Sequence, residues 1–291
     1  MLWQQIVNGL TLGMVYALIA VGYSLVFGIL RLMNMAHGSV YAFGAHMALM
    51  ILGMNFGMVP AVIGAIILTG ILNIIIDRGI LAPLRNRKAP NITGLISVVG
   101  VSYIIQNMLM LVFGSQKKLF PKLFDLGIIH IGGVEFTATQ MAIALISIIL
   151  LVVLTVVIRY TRIGLAMRAA QKNTLAAKYV GIDVRNVISF TFFLGGVSAA
   201  IAGVLISGYY EMVYSTMGTE MGLRAFSAAV LGGIGVLHGS VVGGIIVGVA
   251  EALAVTFLGG TFKDATAFII LFLVLLIRPT GLFGKENINK V

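Results

Sequence analysis

Residues 159–185, RYTRIGLAMRAAQKNTLAAKYVGIDVR, form a basic polar interval between two long apolar runs. The interval carries six Lys and Arg side chains and a single acid, Asp183. A basic loop between membrane spans stays on the cytoplasmic side of the membrane. The stretch therefore predicts an all-α polytopic membrane protein with a cytoplasmic loop at about 159–186.

Small side chains recur within this loop at helical spacing, as in Ala166, Ala169, Ala170 and Ala177. The spacing predicts a short helix over 165–180, which Gly181 ends by adopting the left-handed conformation. Alanine keeps few atoms between two backbones, so such a helix can lie close against another protein. A helix resting on the membrane surface is the alternative interpretation.

The composition of the whole chain agrees with a membrane protein. Hydrophobic residues make up 60% of the 291 residues, charged residues only 10%, and the mean hydropathy is +1.10. The formal net charge is +10, but the basic residues cluster beside apolar runs, where they set orientation rather than bind nucleic acid. The chain has no cysteine, which excludes disulfides and cysteine-ligated metal sites.

Apolar segments continue along the chain and predict a single transmembrane helical bundle over residues 1–291. We expect eight full spans and one short or broken span, at 225–236. The first basic residue is Arg31, after the first span, so we expect the N-terminus outside and the C-terminus inside. The other predicted spans cover 6–30, 40–56, 60–76, 92–113, 139–158, 187–207, a glycine-rich segment around Glu251, and 265–277.

Polar and small residues inside these runs are candidates for a translocation path or for helix packing. Asn34 and His37 lie in apolar surroundings, where ionisable groups are costly and often functional, although a neutral histidine can simply bond a backbone carbonyl. Glu251 lies in mid-span and is expected to be protonated or to bond a serine, a tyrosine or the backbone. The further candidates are Gly38 and the glycines spaced by four, Gly235, Gly239 and Gly243, which permit close helix packing.

The segment at 208–222, GYYEMVYSTMGTEMG, is predicted to lie outside. Its tyrosines are typical of an interfacial belt. Its acids could contact basic residues of a soluble partner. No cage of convergent polar groups is evident from the sequence, which favours a separate binding protein as the main source of selectivity.

Three blocks in matching order give the chain a family resemblance. NMAHG at 34–38, the pattern RxGLAxRA followed by AAxxxxxAAxxxGI in the basic loop, and AVLGGIG with a later AEAL resemble permease subunits of ABC importers, close to the branched-chain amino-acid (LivH) type. The loop departs from the wider importer motif, since Arg168 replaces the usual glutamate and no glycine intervenes between the alanine pairs and Gly181. The resemblance implies that the loop docks into a groove on a separate ATPase subunit. Its expected contact residues are Arg162, Gly164, Arg168, Ala169, Ala170, Lys172, Ala176, Ala177, Lys178 and Gly181.

The same resemblance implies the partners and the setting. We expect a second permease subunit in a heterodimer, two ATPase subunits that bind ATP and Mg, an extracytoplasmic substrate-binding protein, and a bacterial inner membrane. The implied substrate is a branched-chain or other small neutral amino acid, with urea or short amides as the alternative. The chain itself is expected to hold no catalytic residue, cofactor or metal.

Two other function classes remain open at this point. The sequence has no GxxxxGK[ST] phosphate loop, so the chain cannot hydrolyse ATP in the P-loop manner. An ion-coupled secondary transporter usually buries several acids or a pair of unwound helices, whereas one acid is expected here. An intramembrane hydrolase is a minor alternative because of His37 and His46, although GxSG and HExxH are both absent.

Overall fold

The computed structural model describes residues 2–123, 127–131 and 133–284, and they form a bundle of membrane-length helices. Six helices in this part of the chain are long and apolar enough to cross a membrane. Five of them are α1 (Leu2–Leu30), α5 (Asn91–Phe113), α6 (Ala138–Tyr160), α9 (Val184–Tyr210) and α11 (Leu237–Leu258). The sixth, Met58–Asn86, consists of α3 (Met58–Ile76), a π-helical turn (Asp77–Leu81) and α4 (Ala82–Asn86).

Three further apolar helices are shorter than a full crossing of about 20 residues. They are α2 (His37–Gly53), α10 (Met217–Gly232) and α12 (Lys263–Ile277). The predicted bundle is confirmed, but its division into eight full spans and one short one differs from the six long and three short helices observed. The difference arises because α2 and α12 are too short, at 17 and 15 residues, and because the short segment begins well before residue 225.

The helix boundaries correct two sequence predictions. The predicted span 60–76 ends too early, since the helix continues to Asn86 with Leu81 and Ala82 buried and Ile80 partly buried. The outer segment at 208–222 is also partly helical, since α10 begins at Met217.

The core of the bundle is formed by α1 and α9, which are mostly buried, whereas α5 and α6 expose most of their surface. Helix α11 runs antiparallel to α1. A Cβ added at Gly9 would meet Val249, and Ser24 bonds Ser240 further along. Rising residue numbers in α1 thus match falling numbers in α11.

The two ends of the bundle differ in character. At the end that we call the basic end, α1 finishes and two short helices, α7 (Arg162–Lys172) and α8 (Thr174–Tyr179), connect α6 to α9. At the opposite end, the hairpin end, strand β2 (Ile128–Ile131) pairs antiparallel with β3 (Val134–Thr137). There, β1 (Lys118–Leu119) also pairs antiparallel with β4 (Met212–Val213).

The start of α1 lies at the hairpin end. The Gln4 side chain donates to the Glu135 carbonyl at 2.8 Å and accepts from the Glu135 N–H at 2.8 Å. Thr137 begins α6 with a capping box. Its hydroxyl accepts from the Gln140 N–H, and the Gln140 side-chain oxygen accepts from the Thr137 N–H. The hairpin thus joins the first turns of two spans.

Candidate functional site

A buried charge pair lies inside the bundle, towards the hairpin end. Glu251 on α11 is fully buried, and its Oε2 accepts a hydrogen bond of 2.7 Å from the Tyr16 hydroxyl. Arg224 on α10, only 6% exposed, places its Nε 3.1 Å from Glu251 Oε1. A buried charge is tolerated when it is paired and hydrogen-bonded, so these contacts explain an acid in mid-span.

Of the alternatives given for Glu251, a hydrogen bond from a tyrosine is the one observed, whereas Arg224 was missed. The sequence placed Arg224 next to a polar outer segment, whereas the early start of α10 brings it into the bundle. The helical phase that puts Arg224 beside the buried Met221, Ala225 and Ala228 is the signal that could have located it.

A second buried acid lies near the basic end, just past the predicted end of the span 60–76. Asp77 is fully buried; its Oδ1 lies 2.8 Å from Arg85 Nη2, and its Oδ2 accepts a hydrogen bond of 2.9 Å from Ser189. Arg78 donates to Ser189 at 3.0 Å and to Asn186 at 2.9 Å. This network joins the π-helical turn after α3 to the first turns of α9. Glu251 is therefore not the only acid within the spans.

The segment around His37 is packed inside the bundle. The Asn34 side chain accepts from the Ala36 N–H at 3.3 Å, and the Asn34 carbonyl accepts from the His37 N–H at 3.0 Å, so this turn starts α2. The His37 ring meets Tyr23 edge to face at 4.8 Å and occupies the space that a side chain at Gly22 would need. His46 bonds the Ala42 carbonyl at 2.8 Å, the ordinary structural role for such a histidine.

The candidate glycines serve as helix contacts. A Cβ at Gly38 would lie 3.0 Å from the Gly222 Cα. A Cβ at Gly239 would meet the Gly232 backbone, and one at Gly243 would lie 2.9 Å from the Gly232 N. Glycine therefore lets α10 approach both α2 and α11 closely.

Gly235 differs from the other glycines of the predicted stripe. It lies in the turn between α10 and α11 with φ of +89°, outside both helices. The turn also contains Gly233, with φ of +100°. The spacing by four from Gly235 to Gly239 is therefore not a helix-packing pattern.

The basic loop folds into two helices rather than the one predicted over 165–180. The break is at Asn173, which is extended, with φ of −156°, and whose side chain accepts from the N–H groups of Leu175 and Ala176 at 3.0 Å. Asparagine is a favoured N-cap, and it ends α7 while starting α8.

The predicted stop at Gly181 is confirmed in detail. Gly181 has φ of +84°, its N–H donates to the Lys178 carbonyl, and the Ile182 N–H donates to the Ala177 carbonyl. This is the Schellman arrangement, which requires a left-handed residue after the helix. Asp183 then caps α9 by accepting from the Asn186 N–H at 3.2 Å.

The loop residues fall on two faces. One face packs on the chain's own helices, where Arg168 donates to the Ile158 and Arg159 carbonyls at the end of α6. Gly164, Ala170 and Ala177 are buried on this face, and Ala169 is half-buried. The opposite face is exposed and contains Arg162, Leu165, Lys172, Leu175, Ala176, Lys178, Tyr179 and Val180.

The alanine stripe therefore has a different place from the one expected. Ala170 and Ala177 are 2% and 3% exposed, because the apolar face of α7 and α8 covers the basic end of the bundle. The sequence could not tell a face that packs on the same chain from one that packs on another protein. The side chains that remain available to a partner are the exposed apolar and basic ones.

These candidate residues form two separate groups. The loop residues lie at the basic end, whereas Glu251, Arg224 and Tyr16 lie inside the bundle. Within residues 2–123, 127–131 and 133–284, no cluster of three or more His, Cys, Asp or Glu could hold a metal ion.

Comparison with known proteins gives matches over nearly the full chain. The model of a family described as "Branched-chain amino acid transport system / permease component" matches residues 5–277. The permease LivH of Escherichia coli (strain K12), named for high-affinity branched-chain amino acid transport, is 38% identical over 99% of this chain and 97% of its own. The corresponding Pseudomonas aeruginosa permease, BraD, is 39% identical with the same coverage.

A solved structure shares the fold. PsaBC from Streptococcus pneumoniae, determined in complex with Fab, matches with a TM-score of 0.50 and 15% identity, covering 94% of this chain and 91% of that one.

Proposed function

This chain belongs to the family of branched-chain amino acid transport permease components, and we propose that it is the membrane-spanning subunit of an ATP-driven importer for branched-chain amino acids. The observation that carries the proposal is the identity of 38% and 39% to permeases named for these substrates, over 97% of their length. Six long apolar helices and three short ones supply the wall of a translocation path. Urea or amide import, secondary transport and intramembrane hydrolysis are not favoured by these relatives.

In this proposal the chain is a non-enzymatic transport subunit. ATP and Mg are bound by two separate ATPase subunits, since the sequence carries no P-loop. The basic end faces the cytoplasm, in agreement with the positive-inside rule. The membrane is the bacterial inner membrane, and an extracytoplasmic substrate-binding protein docks at the hairpin end.

The exposed face of α7 and α8 is the proposed contact with the ATPase. Leu175, Tyr179 and Val180 are 66%, 89% and 76% exposed on a loop at the basic end. Such apolar side chains grouped on a polar segment are typical of a binding surface. Lys172 and Lys178 flank them and suit a groove with acidic residues at its rim.

The buried face of the same two helices explains how motion would be transmitted. Arg168 bonds the last carbonyls of α6, and the Gln171 side chain approaches the Gly235 carbonyl at 3.4 Å. Small residues keep α7 close to the ends of α1, α6 and α9. Closure of the ATPase dimer would therefore reach the turn between α10 and α11 through contacts within this chain.

The proposed contact with a second permease subunit is the polar face shared by α5 and α10. Asn107 and Tyr103 are exposed in the middle of α5, and the Thr219 hydroxyl lies 3.4 Å from Gln106 Oε1. Polar side chains within a span usually face protein or a water-filled path rather than lipid. A second, similar subunit placed here would complete the wall of the path.

Uptake by cells tests the substrate. Cells that lack this chain should take up isoleucine, leucine and valine poorly, and complementation should restore uptake of these amino acids while urea uptake stays unchanged. Loss of urea uptake with normal amino-acid uptake would overturn the proposed substrate.

A further inference from the structure

A small cavity at the hairpin end borders the buried charge pair. Its volume is about 170 Å³, and it lies between α2, α9, α10 and the start of α12. At about 30 Å³ per water molecule it holds roughly five or six waters, which suits a molecule of the size of a small amino acid.

Charged groups of both signs line this cavity. Glu220 and Arg224 are four residues apart on α10, so their Cβ atoms are about 5–6 Å apart on one face of the helix. Lys263 also lines the cavity and donates to the Tyr210 hydroxyl at 3.0 Å. The ammonium and carboxylate of an α-amino acid are separated by one carbon atom and fit between such opposite charges.

The two charged groups on α10 are held by neighbours. Arg224 pairs with Glu251, which holds the guanidinium at the wall of the cavity. The Tyr214 hydroxyl donates to Glu220 Oε2 at 2.8 Å. Burial, followed by this hydrogen bond, raises the pKa of Tyr214 above its usual value of 10, so the hydroxyl stays a donor and Glu220 stays oriented.

Tyr41 supplies a further polar group. Its side chain is fully buried and lines the cavity, and its hydroxyl has no hydrogen-bond partner among the described residues. A buried hydroxyl without a partner is unfavourable. A ligand carboxylate would accept this hydrogen bond.

Apolar side chains complete the wall. Met217 and Met221 are 2% and 4% exposed and line the same cavity. Methionine is flexible and polarisable and fits branched aliphatic groups of differing shape. The sequence indicated no such site, because the helical residues that line the cavity come from four separate helices, α2, α9, α10 and α12.

We infer that this cavity is a subsite for the zwitterion of a small apolar α-amino acid. The carboxylate would bind at Tyr41, Arg224 and Lys263, the ammonium at Glu220, and the side chain between Met217 and Met221. The inference rests on the proposed function and adds where in the chain the substrate is recognised as it enters from the hairpin end.

Cysteine protection tests the subsite without depending on transport, because the natural chain has no cysteine. The full complex, without the binding protein, carries Met212→Cys at the cavity wall or Leu119→Cys, which is 88% exposed on β1 at the same end of the bundle and lies outside this cavity. The rate of modification by a water-soluble thiol reagent is measured with leucine, with isocaproate, which lacks the ammonium, and with isoamylamine, which lacks the carboxylate.

Leucine should slow modification of Met212→Cys several-fold and leave modification of Leu119→Cys unchanged, and the two singly charged analogues should give no protection. Adding Tyr41→Phe should raise the leucine concentration for half protection about tenfold, as expected for a lost hydrogen bond to a charged group. Tyr209→Phe is the matched control, since the Tyr209 ring meets Tyr210 edge to face but does not line the cavity.

Equal protection at both cysteines, or none at either, overturns the subsite. If the wild-type complex still imports leucine with ATP in that case, the proposed function stands and the inference alone fails. If the wild-type complex imports no leucine, the proposed function fails, and the protection data still decide whether the cavity binds amino acids.

Discussion

The guanidinium of Arg224 on α10 and the carboxylate of Glu251 on α11 are 3.1 Å apart inside the helical bundle, with the Tyr16 hydroxyl bonded to the other carboxylate oxygen. Three helices are thereby joined through one acid. Each charged partner is buried, so each depends on the other to offset the cost of leaving water.

Removal of one member of this pair should destabilise the protein more than removal of both. Arg224→Met leaves Glu251 buried beside Tyr16 without its cation, and breaking a buried pair in this way costs about 3–5 kcal/mol. The double variant Arg224→Met, Glu251→Leu should recover much of that loss. Thermal unfolding in detergent measures both, with Glu211→Gln as the exposed control. An unchanged unfolding temperature in Arg224→Met would contradict the pair's structural role.

The Asp77 network should hold α3 against α9. Ser189→Ala removes one hydrogen bond from Asp77 and should lower stability by about 1 kcal/mol. Asp77→Asn weakens the contact with Arg85 as well and should cost more. Ser97→Ala, which removes a hydrogen bond within α5 alone, is the control. Equal unfolding temperatures for Asp77→Asn and Ser97→Ala would show that the network contributes nothing.

Close packing of α1 on α11 predicts that two glycines respond oppositely to the same change. A Cβ at Gly244 would lie 2.6 Å from the Ala17 Cα, whereas one at Gly100 on α5 meets nothing within 4 Å. Gly244→Ala should therefore lower the unfolding temperature, since overpacking costs about 1–3 kcal/mol. Gly100→Ala should be neutral or stabilising, because alanine favours a helix interior over glycine by about 0.5–1 kcal/mol. Equal changes in unfolding temperature for Gly244→Ala and Gly100→Ala would contradict the close contact between α1 and α11.

The turn after α8 should depend on glycine through backbone conformation alone. A Cβ at Gly181 meets no atom within 4 Å, but φ is +84°, a conformation that costs a non-glycine residue about 1–2 kcal/mol. Gly181→Ala should accelerate amide hydrogen exchange over 174–182 with little effect on the spans. Gly79→Ala, which also has open space but no left-handed backbone, should leave exchange in that loop unchanged. Unaltered amide exchange in Gly181→Ala would show that this turn does not require glycine at position 181.

Much of the fold was predictable because membrane helices have a strong local signal. Long apolar runs and the basic loop at 159–185 located most spans, and the spacing of Gly239 and Gly243 indicated the close packing observed there. Contacts between distant segments were not predictable. Asp77 and Arg224 fell just outside the predicted spans 60–76 and 225–236, and their partners Ser189 and Glu251 lie far along the chain.

The loop shows the same limit on a smaller scale. Asn173 carries a capping signal in its type, but the helical spacing of the alanines on either side favoured one continuous helix. The burial of Ala170 and Ala177 follows from the position of α6 and α9, which periodicity within the loop does not contain. Only the three-dimensional structure shows which face of α7 and α8 packs on this chain and which face remains exposed.

The two faces of the loop give different predictions for ATPase coupling. Ala177→Trp, like Ala170→Trp, should destabilise the chain itself, because it overpacks a buried position. Tyr179→Asp should instead leave the unfolding temperature unchanged and reduce co-purification of the ATPase subunits, since Tyr179 is 89% exposed on the proposed contact face. Leu119→Asp, at a side chain that is 88% exposed on β1 at the hairpin end, is the control for a general effect of an added acid on ATPase binding. Full co-purification and normal substrate-stimulated ATP hydrolysis in Tyr179→Asp would place the contact elsewhere.

The most direct test of ATP-driven import through this chain is leucine uptake by the purified complex in proteoliposomes that contain the binding protein. Uptake should require ATP on the side of the basic end, should be unaffected when sodium and proton gradients are collapsed, and should fall sharply in Tyr179→Asp. Leucine uptake driven by an ion gradient without ATP, or undiminished in Tyr179→Asp, would contradict the account and favour a secondary transporter.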